Sequence, residues 1–212
     1  MADTGKTVII DYGMGNLRSA EKAVEAAGGH PVITSDPDAV RSAQRLILPG
    51  VGAFGEAMEN LRRTGLDRAI SDAAGSGKPL LGLCLGLQLL FTHSEEFGSH
   101  EGLDLIPGKV LKLDCPGLRV PHVGWNQIEG DSEDPLLRDI PAGSYFYFVH
   151  SYYVEPDRPE DVLRWTGYGR NFCSIARRGR IYGVQFHPEK SQEAGKRLIR
   201  NFLFMAADSA DN

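Results

Sequence analysis

One stretch of eleven residues constrains this chain more than any other: Leu80-Leu81-Gly82-Leu83-Cys84-Leu85-Gly86-Leu87-Gln88-Leu89-Leu90. It reads as a buried apolar strand that runs through a cysteine straight into an apolar helix. Gly82 and Gly86 flank Cys84 two residues to either side, the spacing of the G-x-S-x-G elbow with sulfur in place of oxygen. A strand that turns directly into a helix strains its apex residue, and neighbours without Cβ atoms let the turn close. The apex side chain then stands above the sheet edge, where the first free helix amides favour a thiolate. Cys84 is therefore read as a nucleophile, against the plain alternative of a small buried hydrophobe.

A thiol of ordinary pKa is mostly protonated at neutral pH, so the reading requires a base and a group to orient it. Of the six histidines, His187 offers both. It follows the strand-like run Ile181-Tyr182-Gly183-Val184-Gln185-Phe186 and precedes Pro188-Glu189. Proline pushes the preceding residue into an extended conformation, where residues two apart project to one side. Glu189 would then hold Nδ1–H and turn Nε2 toward the sulfur. His30 beside Pro31, and His93 and His100 among Glu95, Glu96 and Glu101, read as residues of solvated loops. His122 and His150 stand at strand ends, able to line a cleft but with no carboxylate within three residues.

Around these groups the first half alternates strands and helices: Thr7 to Asp11, a helix capped by Asn16 and stopped at Gly28-Gly29, Pro31 to Thr34, a short helix opened by Asp36-Pro37, and Arg45 to Leu48. Phe54, Met58 and Leu61 make a helical stripe that Gly65 interrupts, and Leu66 to Ala74 continues it. Such alternation implies a parallel sheet with helices on both faces and ligands beyond the carboxyl ends of its strands. There the loop Pro49-Gly50-Val51-Gly52 is a candidate oxyanion-hole donor, or a plain turn. Gly13 and Gly15 do not complete a dinucleotide fingerprint, because Arg18 holds the third glycine position. Short runs at Val110 to Leu113, Val120 to Ile128, Tyr145 to Val149, Val162 to Thr166, Cys173 to Arg177 and Arg180 to Phe186 predict antiparallel strands extending the sheet. A last helix is expected from near Ser191 to about Met205, with frayed residues after it. The predicted class is thus α/β: a mixed, mainly parallel central sheet, helices on both faces and a nucleophile elbow.

Composition removes several functions. A net charge of −5 lacks the basic footprint of a nucleic-acid binder. Three scattered cysteines, Cys84, Cys115 and Cys173, fit no zinc spacing, so no metal is expected and a reduced, cytoplasmic setting is. Met1 to Lys6 lacks the apolar core of a signal peptide, and no run approaches the ~18 residues of a membrane span.

In order and spacing, Pro49-Gly50-Val51-Gly52, Gly82-Leu83-Cys84-Leu85-Gly86-Leu87-Gln88 and Phe186-His187-Pro188-Glu189 resemble the class I (triad) glutamine amidotransferases, over nearly the whole chain. Within that class, Asp11-Tyr12-Gly13-Met14-Gly15-Asn16-Leu17, Pro121-His122-Val123-Gly124-Trp125-Asn126 and His150-Ser151-Tyr152-Tyr153 resemble glutaminase subunits of imidazole glycerol phosphate synthases. The resemblance implies one amidotransferase domain over 1–212, ordered from about 7 to 206, that needs no cofactor. It further implies hydrolysis of L-glutamine to glutamate and ammonia. The ammonia would pass, within a heterodimer, to a separate (β/α)₈-barrel cyclase subunit of histidine biosynthesis making imidazole glycerol phosphate and aminoimidazole carboxamide ribotide.

By the same resemblance Cys84, His187 and Glu189 form the triad, and the oxyanion meets the Leu85 amide and one from Val51 or Gly52. Gly50, Gln88, Glu96 and the backbone of Ser151 and Tyr152 would contact glutamine. Plain alternatives exist: Gln88 as a helix-surface amide, Glu96 as a solvated charge, Tyr152 as core. Lys190 sets a cation ahead of a helix N-terminus, against the helix dipole, and is expected at the partner interface with Trp125 and Asn16, or is an exposed lysine with no role. The rival readings are an amidotransferase subunit for anthranilate, aminodeoxychorismate or pyridoxal phosphate synthesis, a stand-alone cysteine hydrolase, and an inactive scaffold.

Overall fold

The computed structural model describes residues 6–205; the C-terminal residues expected to fray and most of the N-terminal segment discussed above lie outside the described residues. Thr7–Ile10 (β1), Pro31–Thr34 (β2), Arg45–Gly50 (β3) and Leu80–Cys84 (β4) pair in parallel in the order β2-β1-β3-β4. The helices between them are Leu17–Ala26 (α1), Pro37–Ser42 (α2), Phe54–Thr64 (α3) and Leu66–Gly75 (α4). Their ends follow local chemistry. The Asn16 side chain accepts from the Ser19 amide at 3.3 Å, and Asp36 from the Asp38 amide at 3.0 Å with Pro37 opening α2. Gly65, at φ +73°, takes the left-handed conformation that ends α3 and starts α4.

Alternation along the strands builds two cores. Val8, Ile10, Leu46, Leu48 and Leu80 face the core that holds α2, α3 and α4. Ile9, Ile47, Leu81 and Leu83 face the other, with α1 and the last helix, Gln192–Phe204 (α6). All nine are at least 96% buried, and each such side chain contributes about 1.5–3 kcal/mol relative to exposure. The sheet is therefore held from both sides.

The second half departs from the expected pattern. The elbow helix, Leu85–Leu89 (α5), has five residues and yields at once to Phe91–Ser94 (β5). Amides of Leu103 and of Leu105 and Ile106 take the Leu89 and Leu90 carbonyls, which helix continuation would have used. His93 and His100 are thus in strands rather than a solvated loop, because β5 pairs with His100–Glu101 (β6) and with Ile106–Lys112 (β7). Two strands, His122–Gln127 (β8) and Tyr145–His150 (β9), form a separate antiparallel ribbon instead of extending the main sheet. Tyr152–Pro156 (β10), Val162–Gly167 (β11) and Asn171–Arg178 (β12) add antiparallel pairs, β10 being a strand absent from the runs read in the sequence. Ile181–Val184 (β13) is antiparallel to β12 but parallel to β4.

Room for α5 comes from glycines. A Cβ on Gly86 would overlap the Leu48 carbonyl oxygen, and one on Gly82 would lie 2.5 Å from the Gly86 carbonyl oxygen. Both obstacles are backbone, which cannot move aside cheaply. Gly86→Ala should lower unfolding free energy in urea by at least about 2 kcal/mol, whereas Gly75→Ala, with open space around its Cβ, should leave it within about 0.5 kcal/mol.

Candidate active site

The strand-to-helix junction places Cys84 at φ +54°, ψ −108°, a conformation costing an L-residue about 1–3 kcal/mol. Its side chain is largely buried and faces a cleft beyond the carboxyl ends of β3 and β4. Gly50 pairs with Cys84 across the sheet, and a Cβ there would meet the Tyr12 hydroxyl at 2.7 Å and Leu85 Cβ at 2.8 Å. Gly50 is buried there and does not line the cleft. The Tyr12 hydroxyl donates to the Pro49 carbonyl at 2.9 Å, and burial, then the charge of an ionised Cys84, push its pKa upward. It stays a protonated clamp on the loop.

His187 reaches the same place from β13. Its backbone amide donates to the Tyr147 carbonyl at 2.9 Å, tying it to the β8–β9 ribbon. Its Nδ1 lies 2.7 Å from Glu189 Oε1, with both side chains at least 94% buried. The route differs from the expected one. His187 is extended, but Pro188–Lys190 form a 3-10 turn, and that turn folds Glu189 back onto the ring. The two-apart rule applies one step earlier, to Gln185 and His187, while Phe186 points the other way and stacks on Phe146.

Nε2 of His187 is buried and makes no hydrogen bond of ordinary geometry among the described residues. Burial, the largest influence, works against the imidazolium, but the Cys84 sulfur and the Glu189 carboxylate outweigh it and raise the pKa to about 9. His187 is thus set to hold its proton at neutral pH.

A cleft of about 370 Å³ joins these groups to Val51, Gly52, Leu85, Gln88, Glu96, Ser151, Tyr152 and Lys190. Val51 is exposed at its mouth, and Gly52 holds φ +106°. Gln88 is 95% buried rather than a surface amide, and donates to the Tyr152 carbonyl at 3.1 Å and to Gln185 Oε1 at 3.3 Å. Glu96 is not a freely solvated charge: its Oε2 accepts from the Phe54 amide at 2.7 Å, capping α3. Lys190 Nζ lies 5.8 Å from the Tyr147 ring centre, and Trp125 meets the same ring edge-on at 6.0 Å. Trp125 and Lys190 thus contact one ring, Tyr147, and only Lys190 lines the cleft. Asn16, spent on capping α1, does not line the cleft.

Sequence reasoning missed Gln185, whose Nε2 lies 3.9 Å from the sulfur, and the pairing of His122 Nδ1 with His150 Nε2 at 3.0 Å. Alternation along β13 was the available signal for the first. A larger cleft of about 530 Å³, lined by Arg138, Arg177 and Arg197 among others, lies toward the β12–β13 turn and contains no nucleophile. Among the described residues no cluster of three or more His, Cys, Asp or Glu side chains could hold a metal, and no helix is long and apolar enough to cross a membrane.

The glutamine amidotransferase class-I family model matches residues 8–206. The chain belongs to the class-I glutamine amidotransferases. This amidotransferase is 52% identical over 194 residues to the imidazole glycerol phosphate synthase subunit HisH of Moorella thermoacetica, 92% of each chain being covered. It is 49% identical to the HisH subunit of Syntrophotalea carbinolica, over 92% of this chain and 98% of that one. Among solved structures, PurLQS from Thermotoga maritima matches with a TM-score of 0.71 at 18% identity, covering 94% of this chain and 97% of that one. A glutamine amidotransferase from the same organism matches at 0.64 and 15%, covering 94% and 96%. At those identities the likeness is of fold, the mixed α/β sheet with its flanking helices.

The amidotransferase should show one imidazole titrating near pH 9 by ¹H–¹⁵N NMR. Because the folded pKa exceeds the ordinary 6.5, protonation of His187 stabilises the fold fully below about pH 6.5 and ceases to do so as pH rises through about 9. Glu189→Gln should lower that midpoint and shrink this pH-dependent stability; an unchanged midpoint contradicts the assignment.

Proposed function

We propose that this chain is the glutaminase subunit of an imidazole glycerol phosphate synthase. It would hydrolyse L-glutamine and pass the ammonia, in the cytoplasm, to a separate (β/α)₈-barrel cyclase subunit. The observation that carries the chemistry is Cys84 and His187 lining one cleft with Glu189 held against the imidazole, and kinship with HisH subunits carries the acceptor.

In acylation the Cys84 thiolate attacks the glutamine carboxamide carbon and His187 gives its proton to the departing ammonia. A histidine pKa near 9 keeps that proton in place at neutral pH. Once the sulfur is acylated its negative charge is gone, and with it one of the two influences that raise the imidazole pKa. His187 then becomes the base that activates water for thioester hydrolysis, with Glu189 holding the ring throughout. One effect thus serves both steps.

The oxyanion would meet the Leu85 amide and one from Val51 or Gly52. Gly52 has the backbone freedom for that peptide to reorient, and exposed Val51 opposes it little. A missing donor costs about 10²–10³ in kcat, which accounts for a subunit nearly idle until its partner docks. Glu96 Oε1, left over from capping, suits the substrate α-ammonium, and the 151–152 backbone its carboxylate.

Glutaminase turnover should be low for the chain alone and rise at least about 10²-fold with a histidine-pathway cyclase and its nucleotide ligand. Cys84→Ala should lower the stimulated rate by about 10⁴-fold or more. Stimulation by an anthranilate or aminodeoxychorismate synthase instead, or unassisted turnover of γ-glutamyl peptides, would overturn the proposal. Lys190→Ala should leave the subunit folded but weaken the coupling of glutaminase to cyclase turnover.

A further inference from the structure

Gln185 is wholly buried beside the nucleophile, where an apolar side chain would satisfy packing. We propose that Gln185 is a further catalytic residue, whose side-chain amide donates to the Cys84 sulfur and stabilises its ionised form. The inference rests on Cys84 being the nucleophile.

The direction of the amide is fixed by its neighbours. A backbone carbonyl can only accept, so the Tyr152 oxygen, which also faces His150 Nδ1 at 2.8 Å, orients the NH₂ end of Gln88 toward itself at 3.1 Å. The second N–H of Gln88 meets Gln185 Oε1 at 3.3 Å. With its oxygen engaged, Gln185 presents its NH₂ end to the sulfur, at 3.9 Å. The backbone is held as well, Gln185 N donating to the Ser174 carbonyl at 2.9 Å.

The sulfur needs such a donor. As a thiol it points at the Val149 carbonyl, 3.9 Å away, and on ionisation that contact turns from acceptor to repulsion. Gln185 supplies an N–H on the charged form from a wholly buried amide, and hydrogen bonds to ions are about twice as strong as neutral ones. A flipped amide would set its oxygen against the thiolate. Gln88 thus acts on the sulfur without touching it, as a positioning residue.

The test is alkylation of Cys84 by iodoacetamide in the full chain from pH 5 to 10, located by peptide mass. Gln185→Met should slow labelling at pH 7 about tenfold, move the half-maximal rate to higher pH and leave the rate at pH 10 within about twofold. Gln88→Met should shift the profile the same way, and the double variant no further than Gln185→Met. A Gln185→Met profile superposing on wild type, or slowed equally at every pH, would overturn the proposal. Should that variant not fold, the Gln185 side-chain ¹⁵N resonance of wild type must titrate together with labelling, and a flat resonance overturns it. A wild-type Cys84 unreactive at every pH would remove the nucleophile itself, an outcome distinct from a reactive sulfur indifferent to Gln185.

Discussion

Residues 84 and 187 meet because β13 pairs in parallel with β4, Ile181 lying opposite Leu80 and Val184 opposite Leu83. Parallel pairing brings both strands to the same edge, so the sulfur that ends one and the imidazole that follows the other emerge together. A slip of one residue would turn Gln185 and His187 to the opposite face. The register is guarded by packing: Gly82 and Gly183 lie side by side beneath α5, and a Cβ on Gly183 would overlap Leu87. The same contact that seats the elbow therefore aligns the strand carrying the base.

A second layer of control comes from buried polar groups whose protons are fixed. Burial lowers the pKa of His150 to about 3 and of His122 to about 4, leaving both rings neutral at physiological pH. Neutral rings can be ordered into donors and acceptors. His150 Nδ1 serves the Tyr152 carbonyl, so its Nε2 accepts from His122 Nδ1, whose own Nε2 faces the Asn126 amide. The ribbon whose outer face exposes Val123, Trp125 and Tyr145 is thereby tied to the cleft backbone. His187 shows the opposite balance, since Cys84 and Glu189 overcome the burial that neutralises the other pair.

The elbow and the parallel core were legible because both rest on local pattern: apolar runs between glycines, caps at Asn16 and Asp36, and a helical stripe through Phe54, Met58 and Leu61. What escaped was set by partners distant in the chain. Only Ser151 separates β9 from β10, so the aromatic run gives no sign that the chain leaves the ribbon and enters the main sheet. Phe91-Thr92-His93-Ser94 becomes a strand through pairing with β7 and β6 rather than through its own composition. The His187–Glu189 contact was foreseen with the wrong backbone, since a proline turn, not an extended strand, brings the carboxylate back. Gln185 stayed hidden because an uncharged amide carries no motif of its own.

The central claim is that this one sulfur, among three cysteines, is the atom that takes the γ-glutamyl group. Incubation with a glutamine analogue bearing a diazoketone in place of the carboxamide, followed by peptide mass mapping, tests it directly. A single adduct on the Cys84 peptide, suppressed by excess glutamine and absent from the buried Cys115 and Cys173, is the predicted result. An adduct on either of those cysteines, or a Cys84 adduct indifferent to glutamine, would contradict it.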